Sequence, residues 1–199
     1  MRKRLFTLLL LILAIPITMS AYDFYVYPLA YNINNDGTSV TVTRQYSSSP
    51  SYYNLSGSLN IPSTVTYSGK TYSVTAIGES AFYDCTDLTS VTIPNSVASI
   101  GGSAFNGCSG LTSVSIGNSV TSIGQNAFYG CTGLTRVDIY NINSWFNIVF
   151  ESDYFNSGCS SNPLCYAKNL YLNGSKVTNL VIPNTVNAIN AFAFYGCSG

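Results

Sequence analysis

The sequence predicts a mainly β solenoid, an array of 23-residue units entered through an N-terminal β-hairpin cap. Three observations carry that expectation. Nearly the same words begin at Ile77, Ile100 and Ile123, 23 residues apart. Inside each copy, apolar and hydroxyl residues alternate for a few positions and then stop at a turn dipeptide. Hydrophobic residues reach 46% while charged residues make up only 8%, so hydroxyls and amides must supply solubility, and the apolar residues come as short periodic clusters.

The N-terminus stands apart. Arg2, Lys3 and Arg4 precede an apolar stretch from Leu5 to Met19, shorter than the roughly 20 residues that span a bilayer. A basic start, an apolar middle and the small residues Thr18, Ser20 and Ala21 predict a cleaved signal peptide over residues 1–21. An uncleaved anchor is the plain alternative; no Cys follows the apolar run that would carry a lipid. Cleavage leaves five basic against eight acidic side chains, a net charge of −3. The basic cluster leaves with the signal, and with it any footprint for nucleic acid.

Residues 22–76 read as the β-rich cap. Asp36-Gly37 lies between two alternating runs, a hairpin signal, and Ser68-Gly69 marks a second hairpin in "STVTYSGKTYSVTAI". A solenoid needs such a segment to cover its first coil.

The array is expected over residues 77–199. In "LTSVTI", Val91 and Ile93 alternate with Ser90 and Thr92, the period of a half-buried strand. Val114 with Ile116, Val137 with Ile139, and Leu180 with Ile182 fill the same places. After Ile93 and Ile182 comes "PN" and after Ile116 "GN", turn dipeptides that end the strand, and a second apolar pair follows: Val97 with Ile100, Val120 with Ile123, Val186 with Ile189. One unit cannot bury its few large apolar side chains alone. Stacked units pair equivalent strands in parallel, about 4.8 Å apart, so each column sees itself above and below. Ile123 and Ile189 are 66 residues apart, which predicts an irregular insertion at about residues 140–176, holding Trp145, Cys159 and Cys165. The chain stops at "GCSG", one residue before the Leu of earlier copies, and is expected to be truncated there.

The consensus "AFxGCxxLTSVxIPNSVxSIG" closely resembles the BspA-type leucine-rich repeat, with the resemblance running from about Leu59 to Gly199. It implies an extracellular leucine-rich repeat scaffold of oral and gut bacteria, some relatives of which adhere to host matrix proteins or to other bacteria. The insertion departs from the pattern, and no residue motif for a ligand transfers.

Little in the chain suggests catalysis. There is no His, which removes Ser-His-Asp and Cys-His arrangements. Glu151 and Asp153 are the one close carboxylate pair of possible hydrolytic use and read more simply as two solvated loop acids. Cys85, Cys108, Cys131 and Cys197 share one column, so their side chains run parallel and cannot converge on a metal; they read as buried thiols. Cys159 and Cys165, six apart in an irregular loop of a secreted protein, form a possible disulfide. No cofactor is expected, and the chain is expected not to be an enzyme.

The outward strand positions form the candidate binding face: Ser90, Thr92, Ser113, Ser115, Arg136 and Asp138, followed by Asn179 and Val181, with Trp145 from the insertion. Repeat arrays commonly bind through an extended face; the simpler alternative is a row of solvated residues that favour strands. The expected partners are host matrix or bacterial surface proteins, or else glycans on which tyrosines such as Tyr83 and Tyr129 could stack. The expected role is that of a secreted or cell-surface protein mediating adhesion, with no transmembrane span in the mature chain. Two alternatives stand beside it, a glycan-binding surface protein and the non-catalytic repeat part of a longer secreted enzyme. Ice binding by the Ser and Thr ladder is a weaker one, because Arg136 and Asp138 interrupt the ladder.

Overall fold

The computed structural model describes residues 22–44, 55–151, 160–184 and 186–195; the expected signal peptide lies outside them. The elements run β1 (Phe24–Val26), β2 (Leu29–Ile33), β3 (Ser39–Thr43), β4 (Gly57–Asn60), β5 (Thr64–Tyr67), β6 (Lys70–Ile77), β7 (Leu88–Thr92), β8 (Ser99–Ile100), β9 (Ser113–Ile116), β10 (Ser122–Ile123), β11 (Arg136–Ile139), α1 (Ile142–Phe146), β12 (Val149–Phe150), α2 (Leu164–Ala167), β13 (Leu170–Leu172) and β14 (Ser175–Lys176).

Two sheets share one core. The first runs β1-β2-β3-β6-β8-β10-β12, with β5 beside β6, and the second runs β14-β13-β11-β9-β7-β4. Both expected hairpins are present and antiparallel, with Ile33 opposite Val40 and Tyr67 opposite Lys70. From there the chain coils. Val91 pairs in parallel with Val114, and Val114 with Val137; on the other sheet Ile77 pairs with Ile100, and Ile100 with Ile123. Each pair joins residues 23 apart, so equivalent side chains stack. Phe82, Phe105 and Phe128 are fully buried, with ring centroids 5.0 and 5.2 Å apart and planes tilted by 14°.

Coils this close leave no room for a side chain at the Gly of each "IG" pair. A Cβ on Gly124 would sit 2.5 Å from the Gly102 nitrogen and 2.8 Å from the Gly101 carbonyl carbon, both backbone atoms of the preceding coil. Cys85, Cys108 and Cys131 are buried reduced thiols, inward as expected. They also donate: Cys108 Sγ to Phe82 O at 3.1 Å and Cys131 Sγ to Phe105 O at 3.2 Å. Burial raises the pKa of Cys85 to about 11 and of Cys131 to about 12, and raises that of Cys108 further still.

Three expectations change. The border between cap and array at residue 76 has no counterpart in the sheets, because β4 already pairs in parallel with β7, Leu59 opposite Val91. Within the irregular insertion expected at 140–176, the described residues continue both ladders. In it, β12 pairs with β10 and β13 with β11, Val137 opposite Leu170. Registering a coil takes only two to four residues in each sheet, so extra residues can loop out between them; here they form α1 and α2. The third change follows from the second. Since β13 takes the next place on the second sheet and β14 folds back antiparallel against it, Leu180 and Ile182 lie outside any strand and are 37% and 49% exposed.

Candidate functional site

The outward positions of the second sheet line up in two rows. One runs Ser58, Ser90, Ser113, Arg136 and the other Asn60, Thr92, Ser115, Asp138, Tyr171, Lys176, each residue opposite the next. The inward neighbours are ladder residues such as Val114 and Val137, so the alternation that buries them presents the hydroxyls to solvent. Toward β4 the surface is plain: Ser90 Oγ donates to Ser58 Oγ at 2.7 Å.

Toward β13 the chemistry becomes denser. Arg136 Nε and Nη2 donate to the two Asp138 carboxylate oxygens at 2.6 and 2.7 Å, a two-pronged geometry that fixes both side chains. The guanidinium carbon lies 3.9 Å from the centre of the Tyr171 ring, within cation–π range. Hydrogen bonding to Asp138 raises the Arg136 pKa above its ordinary value, so the cation is permanent. Tyr140, just past β11, is 49% exposed, and its hydroxyl is 3.0 Å from Ser115 Oγ. Arg136, Asp138, Tyr140, Tyr171 and Ser115 thus form one ordered patch of charge, rings and hydroxyls on neighbouring rungs. The side chains of Arg136 and Asp138 are 41% and 17% exposed, and a pair in that setting adds only about 0–1 kcal/mol to stability.

Six of the expected face residues lie together here: Ser90, Thr92, Ser113, Ser115, Arg136 and Asp138. Trp145 does not. It is 1% exposed in α1, its indole N–H donates to Ala193 O at 2.9 Å, and its ring meets Phe150 edge-on at 5.3 Å. The reason is local: Asn141 caps the helix by accepting from the amides of Asn143 and Ser144, and the turn that follows points Trp145 into the core. Asn179 and Val181 also drop out of the face, because their expected rung belongs to β13. Tyr171 stands there instead. The signal for it was present in "NLYLNG", where Leu170 and Leu172 alternate with Tyr171 as in earlier strands, but the irregular spacing hid it.

Other candidate groups stay scattered. Glu151 is exposed at the end of β12 and Asp153 lies outside the described residues. A depression of about 330 Å³ between α1 and residues 186–188 is lined by Asn143, Phe146, Asn147, Val186, Asn187 and Ala188, none of them charged. Among the described residues, no group of His, Cys, Asp and Glu is placed to hold a metal ion, and no helix is long and apolar enough to cross a membrane. Cys165 is disulfide-bonded; Cys159, the expected partner, lies outside the described residues.

Parallel ladders, one coil per repeat and a polar strand face define a leucine-rich repeat solenoid. A family profile described as "BspA type Leucine rich repeat region" matches in six copies over residues 48–160 and 166–199. The chain belongs to that family. Among solved structures it is similar to a leucine-rich repeat protein from Bacteroides capillosus at 32% identity and a TM-score of 0.56, covering 76% of this chain and 98% of that one. It is also similar to a leucine-rich repeat protein from Bacteroides ovatus, at 34% identity and a TM-score of 0.52, over 59% of this chain. It spans only 31% of the length of that protein. A leucine-rich cell surface protein from Faecalibacterium prausnitzii matches at 26% identity and a TM-score of 0.50, over 69% of this chain and 40% of the other. No curated protein matches.

Proposed function

We propose that this protein is a secreted or cell-surface leucine-rich repeat scaffold that mediates protein–protein interaction or adhesion without catalysis, and that the patch around Arg136 and Asp138 is its contact surface. The observation that supports this reading is the ordering of that patch: a two-pronged ion pair, a stacked ring and an exposed tyrosine stand ready-made on a rigid sheet. Interfaces draw most of their energy from a few Arg and Tyr anchors, and side chains already fixed lose little entropy on binding. The solved protein described as a cell surface protein and the basic-apolar N-terminus both favour an extracellular location. The expected partners are host matrix or bacterial surface proteins.

A second reading, glycan binding, is favoured by the exposed Tyr140, whose hydroxyl is 3.0 Å from Ser115 Oγ, since a ring beside hydroxyls suits sugar faces and their hydroxyls. Secreted protein starting at Tyr22 should be tested against immobilised matrix proteins, whole bacteria and a glycan array, beside Arg136→Ala and Tyr171→Ala. Loss of about tenfold or more in affinity in both variants, against no loss in Thr89→Ala outside the patch, is expected for anchor residues. Equal binding by all variants would move the contact elsewhere on the molecule.

A further inference from the structure

Arg136 has donors to spare. Asp138 takes Nε and one hydrogen of Nη2, which is one edge of the guanidinium. The other edge, Nη1 with the second hydrogen of Nη2, has no partner among the described residues. That edge is itself a two-pronged donor of the kind that matches a carboxylate. Its plane is already fixed, by the Asp138 bonds and by the Tyr171 ring 3.9 Å away. A second cation stands in register with it. Lys176 in β14 is opposite Tyr171, which is opposite Asp138, so the three side chains leave one face of the sheet, about 4.8 Å apart from strand to strand. Lys176 is exposed, and its ammonium likewise has no partner among the described residues. The Tyr171 ring therefore has one cation over it and another on the next strand. Charge is also sorted along the molecule. From Tyr22 onward the basic residues are Arg44, Lys70, Arg136, Lys168 and Lys176, and the last three lie in β11, at the entry to β13 and in β14. Five of the eight acidic residues, Asp23, Asp36, Glu79, Asp84 and Asp87, precede β7. Arg136 and Lys176 against Asp138 leave the patch at two minus one, +1, on a chain whose net charge from Tyr22 onward is five minus eight, −3.

We propose that this patch takes an acidic segment of a partner protein, with one Asp or Glu carboxylate seated on the free edge of Arg136 and within reach of Lys176. Residues beside that acid would pack on Tyr171 and Tyr140. The proposal rests on the reading of the patch as the contact surface and names the chemistry of what it contacts. A carboxylate offers two oxygens in one plane, which the open edge of a fixed guanidinium can take together. A densely sulfated polymer fits worse, because it draws its affinity from many cations at once, and this face sets only two beside a fixed carboxylate.

Peptides displayed on phage should be selected against exported full-length protein, and the tightest of them synthesised with each Asp or Glu either kept or replaced by its amide. The expected result is one acidic position in each peptide at which the amide weakens binding about tenfold. Arg136→Ala and Lys176→Ala should each weaken the acidic form by a similar factor. Lys176→Ala should leave binding of the amide form unchanged, because its ammonium then has no carboxylate to lose. Added salt should weaken the acidic form more than the amide form. Far-UV circular dichroism and the melting temperature of Lys176→Ala should match those of the unaltered chain, since an exposed side chain without a partner is removed. Peptides that need Arg136 and Tyr171 but tolerate the amide at every acidic position reject the acidic partner and leave the contact surface standing. Peptides that bind Arg136→Ala as well as the unaltered chain reject the surface and the proposal with it. A selection that yields no peptide also overturns the proposal, and heparin retained through Lys176 would then assign the patch to a sulfated glycan.

Discussion

The stacked phenylalanines make the sharpest test of the ladder. Phe105 is fully buried between Phe82 and Phe128, at 5.0 and 5.2 Å. Replacing a buried Phe by Ala costs about 3–5 kcal/mol, because neighbours close only part of the cavity. Phe105 also loses two ring contacts, each about 0.5–1.5 kcal/mol beyond area alone. Its backbone cannot move in to compensate, since the Phe105 amide donates to Ala127 O at 2.8 Å and its carbonyl accepts from Cys131 Sγ at 3.2 Å. Phe105→Ala should therefore lie near the top of the range, about 4–5 kcal/mol, a large share of a typical 5–15 kcal/mol stability. Phe105→Leu keeps most of the volume and should cost about 1–2 kcal/mol. Urea unfolding followed by Trp145 emission and circular dichroism measures both, with Thr92→Ala on the outer face as a control expected within about 0.5 kcal/mol. A Phe105→Ala loss below about 1 kcal/mol, or one equal to the control, would refute a continuous ring column.

Two further outcomes follow from the same packing. Gly124→Ala forces a Cβ to within 2.5 Å of the Gly102 nitrogen, where only backbone could yield, and should cost about 1–3 kcal/mol; an unchanged melting curve would mean the coils are farther apart than described. Cys85, whose pKa is raised to about 11 by burial, should resist iodoacetamide at pH 8 in folded protein and react promptly in urea. The unfolded thiol ionises near 9, so above that pH the unfolded chain binds fewer protons and stability falls as pH rises toward 11. Fast labelling of native protein, or stability flat from pH 8 to 11, would contradict the buried thiol.

The regular coils were legible because every column repeats its own residue. Val91, Val114 and Val137 announce a strand three times over, and neighbours of identical shape leave no choice of register. The Arg136–Asp138 pair was legible too, as two charges breaking a row of hydroxyls. Its ring partner was not: Tyr171 is 33 residues from Asp138, ten more than the repeat allows, and only the pairing of β13 with β11 reveals that they are neighbours. Trp145 misled for a related reason. A large aromatic in an irregular stretch looks exposed until the coil that covers it is known.

The sequence by itself determined the repeat solenoid, the inward and outward positions of its regular strands and the burial of Cys85, Cys108 and Cys131, because these depend on side-chain alternation and on contacts between copies. Tertiary structure alone decided how the irregular coil rejoins the ladders, which ring stacks on Arg136, and that Trp145 faces inward. Those outcomes rest on chain segments that meet across variable loops, and loop length places few limits on where a strand can land.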